Sequence, residues 1–103
     1  MNANRIAMLE KYRLEDPTEP FYPYALALEY WHTQPERARE LFTLVLKNHA
    51  DYLPAYYMAG TFFQQEKPEQ AMAIFRMGLE LAKRLNDSNT QRELQAALDN
   101  LTD

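Results

Sequence analysis

The chain has 103 residues, of which 47% are hydrophobic and 25% charged, a composition typical of one folded domain and not of a disordered segment. Its net charge is −4 and its basic residues are scattered, so we expect no nucleic-acid partner, because no surface would neutralise a row of phosphates. With no cysteine it has no disulfide and no thiolate site, and charges interrupt its first apolar residues too often for a secretory signal or a membrane span, which predicts a cytoplasmic protein without membrane association.

Apolar side chains recur at helical spacing in six segments of the chain. The segments are residues 4–14, 21–31, 35–48, 54–65, 68–84 and 88–101. Four prolines stand in the first turn of a segment, where proline is tolerated because its missing amide hydrogen would have no partner: Pro23, Pro35, Pro54 and Pro68. Asp16-Pro17 ends the first segment, and Ser88 with Gln91 three residues later has the form of a capping box. We therefore expect an all-α protein of about six helices.

An internal repeat with a period of 33 residues relates two helical hairpins. The matched pairs are Tyr24/Tyr57, Ala27/Gly60, Tyr30/Phe63, Pro35/Pro68, Glu36/Glu69, Ala38/Ala71, Leu41/Ile74, Phe42/Phe75 and Leu46/Leu79. A fixed period in this range indicates stacked supersecondary units. We expect a single domain with an N-terminal helix (1–17), repeat 1 (18–50), repeat 2 (51–83) and a C-terminal capping helix (88–101).

Both glycines fall inside predicted helices, where each costs about 1 kcal/mol relative to alanine. We expect Gly60 and Gly78 to let a neighbouring helix approach closely. The case is weaker for Gly78, because the repeat register matches it to Val45 instead of to another small residue.

These positions resemble the tetratricopeptide repeat (TPR), whose pattern is W-x2-L-G-x2-Y…A-x3-F…P. The second unit matches it with Tyr56, Ala59, Gly60, Phe63, Ala71 and Phe75, and the first with Leu26, Ala27, Tyr30, Ala38 and Phe42. The departures are the 33-residue period, Pro23 at an aromatic position, Ala50 and Lys83 in place of the closing proline, and Leu98 in place of the glycine. The resemblance implies a right-handed α-α superhelix of stacked antiparallel hairpins, of the small bacterial type with two full repeats and a half repeat on either side. TPR proteins typically bind peptides or partner surfaces on the concave face formed by the first helix of each unit.

The second predicted helix is apolar nearly all the way round, which is more than one packing face requires. Pro23, Leu26, Ala27 and Tyr30 supply the face that packs in the hairpin. The remaining apolar residues of this helix are predicted to bind a partner: Phe21, Tyr24, Leu28 and Trp31. The residues at the corresponding places in the second unit are predicted to do the same: Tyr57, Thr61, Gln64 and Gln65. Trp31 is the first candidate for an anchor, since tryptophan and tyrosine are common at contact hot spots.

Two other outcomes remain open at this stage. The N-terminal helix could fold over Phe21, Tyr24 and Leu28 and make them plain core. If they stay exposed, the same face could instead form a homodimer. TPR domains that grip a C-terminal carboxylate use lysine and asparagine at groove positions that hold Tyr24, Leu28, Tyr57 and Thr61 here, so we do not expect that mode of binding.

The sequence offers few candidate catalytic or metal-binding residues. His49 and Asp51 are two potential ligands without a third, and such a pair is usually a solvated turn. Glu29, the sole charge within residues 21–31, is expected to face solvent or to pair with an arginine such as Arg13. We predict a non-catalytic protein-binding scaffold with no cofactor, no metal and a protein or peptide partner.

Overall fold

The computed structural model describes residues 2–102, which form six α-helices and no strand. The helices are α1 (Ala3–Glu15), α2 (Phe21–Tyr30), α3 (Pro35–Asn48), α4 (Pro54–Phe63), α5 (Pro68–Arg84) and α6 (Ser88–Thr102). The prediction of an all-α fold is confirmed. The bounds of α3 and α5 are those expected from the sequence, and proline stands at the first position of each, where it is favoured. By contrast, α2 ends at Tyr30 and α4 ends at Phe63, which leaves Trp31, Gln64 and Gln65 outside the helices.

The helices group into two compact units, of which the first ends at Tyr52 and the second begins at Leu53. In the first unit α2 packs against both α1 and α3. In the second unit α5 packs against both α4 and α6. The consecutive helices α2 and α3, and likewise α4 and α5, therefore form the helical hairpins that the repeat predicts.

Both units contain fully buried apolar residues. The first unit fully buries Leu26, Ala27, Ala38, Phe42 and Val45. The second unit fully buries Ala55, Ala59, Ala71, Phe75, Ala82 and Leu94. On α3 the buried side chains follow the helical spacing i, i+3, i+4 and i+7 from Ala38. Burial of this stripe stabilises the hairpin more than helix propensity does.

Both glycines lie at close approaches between helices in the second unit. A Cβ at residue 60 would lie 2.6 Å from Cδ1 and Cζ of the buried Phe75 ring. A Cβ at residue 78 would lie 2.5 Å from Cβ of Tyr56 and 3.1 Å from Cδ1 of Leu94. The expected role of the glycines is confirmed, and the lower rank given to Gly78 is wrong, because a Cβ of Tyr56 cannot move away without its backbone.

The start of α6 differs from the sequence prediction. Asp87 caps this helix: its Oδ1 accepts from the backbone N–H of Thr90 at 3.0 Å, and its carbonyl accepts from the backbone N–H of Gln91 at 3.0 Å. The capping box predicted at Ser88 and Gln91 is therefore wrong. Hydrogen bonding from the backbone N–H of Thr90, and then from its side chain, lowers the pKa of the Asp87 carboxyl. Asn86 precedes the cap with a φ of 58°, a left-handed conformation that asparagine tolerates better than most residues.

Candidate partner-binding surfaces

Helix α2 packs with one face and leaves a second apolar face only partly covered. On the first face Pro23, Leu26, Ala27 and Tyr30 are buried, and Ala25 is buried on another side of the helix. The second face comprises Phe21, Tyr24 and Leu28 and is continued by Trp31, the residue that follows the helix. We call these four residues the aromatic surface. Phe21 is 42% exposed, and the other three side chains are half-buried.

Aromatic contacts hold the aromatic surface in place. The Tyr24 ring lies 5.4 Å from that of Tyr52 in an edge arrangement, and the Trp31 ring lies 5.7 Å from that of Phe42 at 89°. Such edge-to-face pairs contribute about 0.5–1.5 kcal/mol beyond the area they bury. Because Phe42 belongs to the fully buried core, Trp31 is anchored on one side by the interior of its own unit.

Tyr24 of the aromatic surface and its neighbour Tyr52 keep their phenol protons at neutral pH. Burial raises the pKa of the Tyr24 phenol above its usual value, and the neighbouring Tyr52 raises it further. Burial and then the charge of Glu19 raise the pKa of Tyr52. Both hydroxyl groups therefore remain neutral hydrogen-bond donors.

Helix α1 covers the start of α2 from one side without enclosing the aromatic surface. The Tyr12 ring lies 5.6 Å from that of Tyr22. A cavity of about 500 Å³ opens between the two helices; it is lined by Asn2, Asn4, Arg5, Met8, Leu9, Tyr12, Phe21 and Tyr22. Tyr22, which sequence reasoning did not single out, is thus the α2 ring that α1 meets most directly.

An ion pair joins the same two helices. The Nε of Arg5 on α1 lies 2.7 Å from Oε1 of Glu29 on α2. Glu29 therefore pairs with an arginine as expected, but the partner is Arg5 and not Arg13. Arg13 lies 3.9 Å from Glu10 on its own helix instead.

Helices α4 and α6 form a cleft in the second unit, which we call the α4–α6 cleft. Its volume is about 450 Å³, and it is lined by Tyr57, Thr61, Gln64, Glu93, Ala96, Ala97, Asn100 and Leu101. Three of the four partner-binding residues predicted in this unit thus share one concave site. Gln65 is exposed beyond the end of α4 and does not line it.

The α6 side of the cleft was missed by sequence reasoning, which treated this helix only as the C-terminal capping helix. Glu93, Ala97 and Asn100 lie at i, i+4 and i+7 and so share one face of α6. Leu94 and Leu98 face the core and are buried, whereas Ala97 and Leu101 are half-buried at the cleft. The helical spacing of the cleft residues could have indicated that α6 has a second face that lines a site, besides the face that packs in the core.

Some polar side chains of the cleft already form hydrogen bonds within the protein, and others do not. The hydroxyl of Thr61 donates to the carbonyl of Tyr57 at 2.8 Å within α4. Within residues 2–102, the side chains of Gln64, Glu93 and Asn100 make no hydrogen bond or ion pair. These three side chains are therefore available to a ligand.

His49, which was considered as a metal ligand, takes part in the backbone hydrogen bonds at the end of α3. The backbone N–H of His49 donates to the carbonyl of Val45 at 2.8 Å, and its carbonyl accepts from Tyr52 at 2.9 Å, so it ends α3 and starts the following turn. Among residues 2–102, no three acidic or histidine side chains are grouped so as to hold a metal ion. Over the same residues, none of the helices has both the length and the apolar character needed to cross a bilayer.

No protein-family model and no curated protein matches this chain. Solved structures do match it. A crystal structure of a tetratricopeptide repeat domain protein from Salinibacter ruber shares 29% identity and a TM-score of 0.75, over 82% of this chain and 96% of that one. A solution NMR structure of a tetratricopeptide repeat domain protein from the same organism shares 31% identity and a TM-score of 0.77, over 84% of this chain and 89% of that one.

Proposed function

The chain belongs to the tetratricopeptide repeat family, and from this premise we propose that it is a non-catalytic module that binds a peptide or a partner protein through the aromatic surface and the α4–α6 cleft. Family membership supports a general role in protein–protein interaction, and members are generally non-catalytic. We also propose the repeat bounds 18–50 and 51–83, flanked by the N-terminal helix and the capping helix.

The observation that carries the proposal is the incomplete burial of the aromatic surface. Its side chains are all large and apolar, yet Phe21 is 42% exposed and the other three are half-buried. A contiguous exposed apolar patch is uncommon on a soluble monomer and usually marks a place where another molecule binds. Covering these side chains removes apolar area from water, a favourable contribution of about 25 cal/mol per Å² that opposes the entropy lost on association.

Within this surface Trp31 is the proposed anchor. It is the single tryptophan of the chain, and its contact with the buried Phe42 ring holds it in one orientation. A side chain that is already ordered loses little conformational entropy on binding. Truncation of such a residue at a contact hot spot costs about 2 kcal/mol or more.

In the second unit the residues proposed to bind a partner are more polar. Tyr57 is 39% exposed, and the amides of Gln64 and Asn100 carry both donors and acceptors. An amide pair of this kind matches the N–H and C=O groups of a peptide backbone. The cleft thus offers polar partners to the backbone of a bound chain.

Affinity capture from the extract of the protein's own cells tests this proposal, with Trp31→Ala beside the unchanged chain. Leu85→Ala is the matched control, because Leu85 is a 55% exposed apolar residue outside both surfaces. A protein retained by the unchanged chain and by Leu85→Ala, but lost with Trp31→Ala, would support the proposal. The same set of proteins on all three would contradict it. Thermal melts of each variant ensure that lost binding does not reflect lost folding.

Self-association is the competing outcome, and light scattering over a concentration series detects it. We expect a monomer at all concentrations. A tight dimer that dissociates on Trp31→Ala would mean that the aromatic surface is occupied by a second copy of the chain.

A further inference from the structure

We propose that the α4–α6 cleft selects an extended peptide segment that carries a lysine or arginine side chain, and that the carboxylate of Glu93 pairs with this cation. The inference deepens the proposed function and rests on it. It assigns a chemical class to the partner, which the fold alone does not.

Glu93 differs from the paired carboxylates of the chain. Glu29 lies 2.7 Å from a nitrogen of Arg5, and Glu36 lies 2.7 Å from a nitrogen of Arg39. Glu93, on the wall of the cleft, makes no ion pair or hydrogen bond within residues 2–102. An ionised carboxylate with no partner of its own favours a cation that approaches it.

The remainder of the lining reinforces this preference. Of the residues that line the cleft, Glu93 alone carries a charge at neutral pH, so nothing in the lining offsets its negative potential. The chain as a whole has a net charge of −4. A concave site of one sign raises the local concentration of ligands of the other sign and repels ligands of the same sign. An acidic segment is therefore disfavoured here.

The polar groups are placed to align a backbone. Tyr57 and Thr61 lie at i and i+4 on α4, and Gln64 directly follows the last residue of that helix. Glu93, Ala97 and Asn100 lie at i, i+4 and i+7 on α6. Seven residues of helix span about 10 Å, which is the length of about three residues of an extended peptide. The unpaired amides of Gln64 and Asn100 then bind backbone groups, while Ala96, Ala97 and Leu101 form an apolar floor.

Pairing at an exposed carboxylate gives selectivity of modest size. Glu93 is exposed, and ion pairs between exposed groups change an equilibrium constant by about two- to fivefold. We expect the preference for a basic residue to fall in this range, and to weaken between 0.1 M and 1 M salt because salt screens exposed charges.

A positional library of labelled octapeptides tests the inference with the full chain. Each pool fixes one position as lysine, arginine, alanine or glutamate and randomises the others, and binding is measured by fluorescence anisotropy. The unchanged chain is expected to bind the best lysine or arginine pool about two- to fivefold more tightly than the matching alanine pool. Glu93→Gln should keep alanine-pool binding and lose the preference, and Glu93→Arg should favour the glutamate pools.

Glu40→Gln is the matched control, because it removes the same charge at an exposed residue of α3 that does not line the cleft. It should leave the preference unchanged. Equal binding of lysine and alanine pools by the unchanged chain, or a basic preference that survives Glu93→Gln, would overturn the inference and leave the proposed function standing. Failure of every pool to bind would overturn it as well, and capture from extract then decides whether the proposed function fails too.

Discussion

Gly78 on α5 and Tyr56 on α4 approach so closely that a Cβ added at residue 78 would lie 2.5 Å from Cβ of Tyr56. Because Tyr56 is buried and its Cβ is fixed to the backbone, the two helices have to separate to admit even a methyl group. The absence of a side chain at residue 78 thus permits the contact between the helices of the second hairpin.

Gly78→Ala should lower the free energy of unfolding by about 1–3 kcal/mol through overpacking, although alanine is the better helix former by about 1 kcal/mol. Ala73→Gly, at an exposed position of the same helix, measures that helix preference alone and should also destabilise. Urea denaturation of both variants checks this. A Gly78→Ala variant more stable than the unchanged chain would show that the helices separate without cost.

Gly60→Leu should destabilise by roughly 1–3 kcal/mol, because the added side chain meets the ring of Phe75. Phe75 is fully buried, so the ring has nowhere to turn. The contact is tested by combining Gly60→Ala with Phe75→Leu, which removes part of the ring. The double variant should lose less stability than the sum of the single variants, and strict additivity would mean that the two residues do not compete for space.

The ion pair between Arg5 and Glu29 should contribute about 0.2–1 kcal/mol to stability. The estimate is small because the Arg5 side chain is 51% exposed and that of Glu29 20% exposed. A double-mutant cycle with Arg5→Gln and Glu29→Gln measures the coupling, which should shrink in 1 M salt. Coupling indistinguishable from zero at low salt would mean that the ring contact of Tyr12 with Tyr22 and the apolar packing hold α1 without help from this pair.

Asp87 should make stability depend on pH below about 4. Its pKa is lower in the folded chain because Thr90 donates hydrogen bonds to its carboxylate. The ionised cap therefore contributes fully above the unfolded pKa, and its contribution is lost as the pH falls through the lowered folded pKa. Asp87→Asn keeps a capping side chain without a titrating group. The difference in melting temperature between the two proteins should be constant above about pH 5 and change toward acid; a difference that is the same at every pH would contradict this assignment.

The sequence predicted the start of a helix well where a proline marks it. It predicted the start less well where two neighbouring residues could both cap the helix. Pro35 and Pro68 fix the starts of α3 and α5 because proline is favoured in a first turn. Asp87 and Ser88 are both favourable N-cap residues for α6. Asp87 is the residue that caps the helix, and it follows the left-handed backbone conformation of Asn86.

The same limit applies to the candidate surfaces. The sequence identified Tyr57, Thr61 and Gln64 by their register in the repeat, and the structure brings them to one cleft. It did not identify Glu93 or Asn100, because their place opposite α4 depends on how α6 packs against the second hairpin. The choice of Arg5 over Arg13 as the partner of Glu29 depends in the same way on how α1 crosses α2.

Tryptophan fluorescence tests the central claim most directly, because Trp31 is the only tryptophan in the chain and belongs to the aromatic surface. A protein captured from extract, with its own tryptophans replaced by phenylalanine, is titrated into the unchanged chain. If the aromatic surface is the binding site, the emission of Trp31 should shift to shorter wavelength and saturate together with binding. Binding that saturates without any change in this emission would contradict the account.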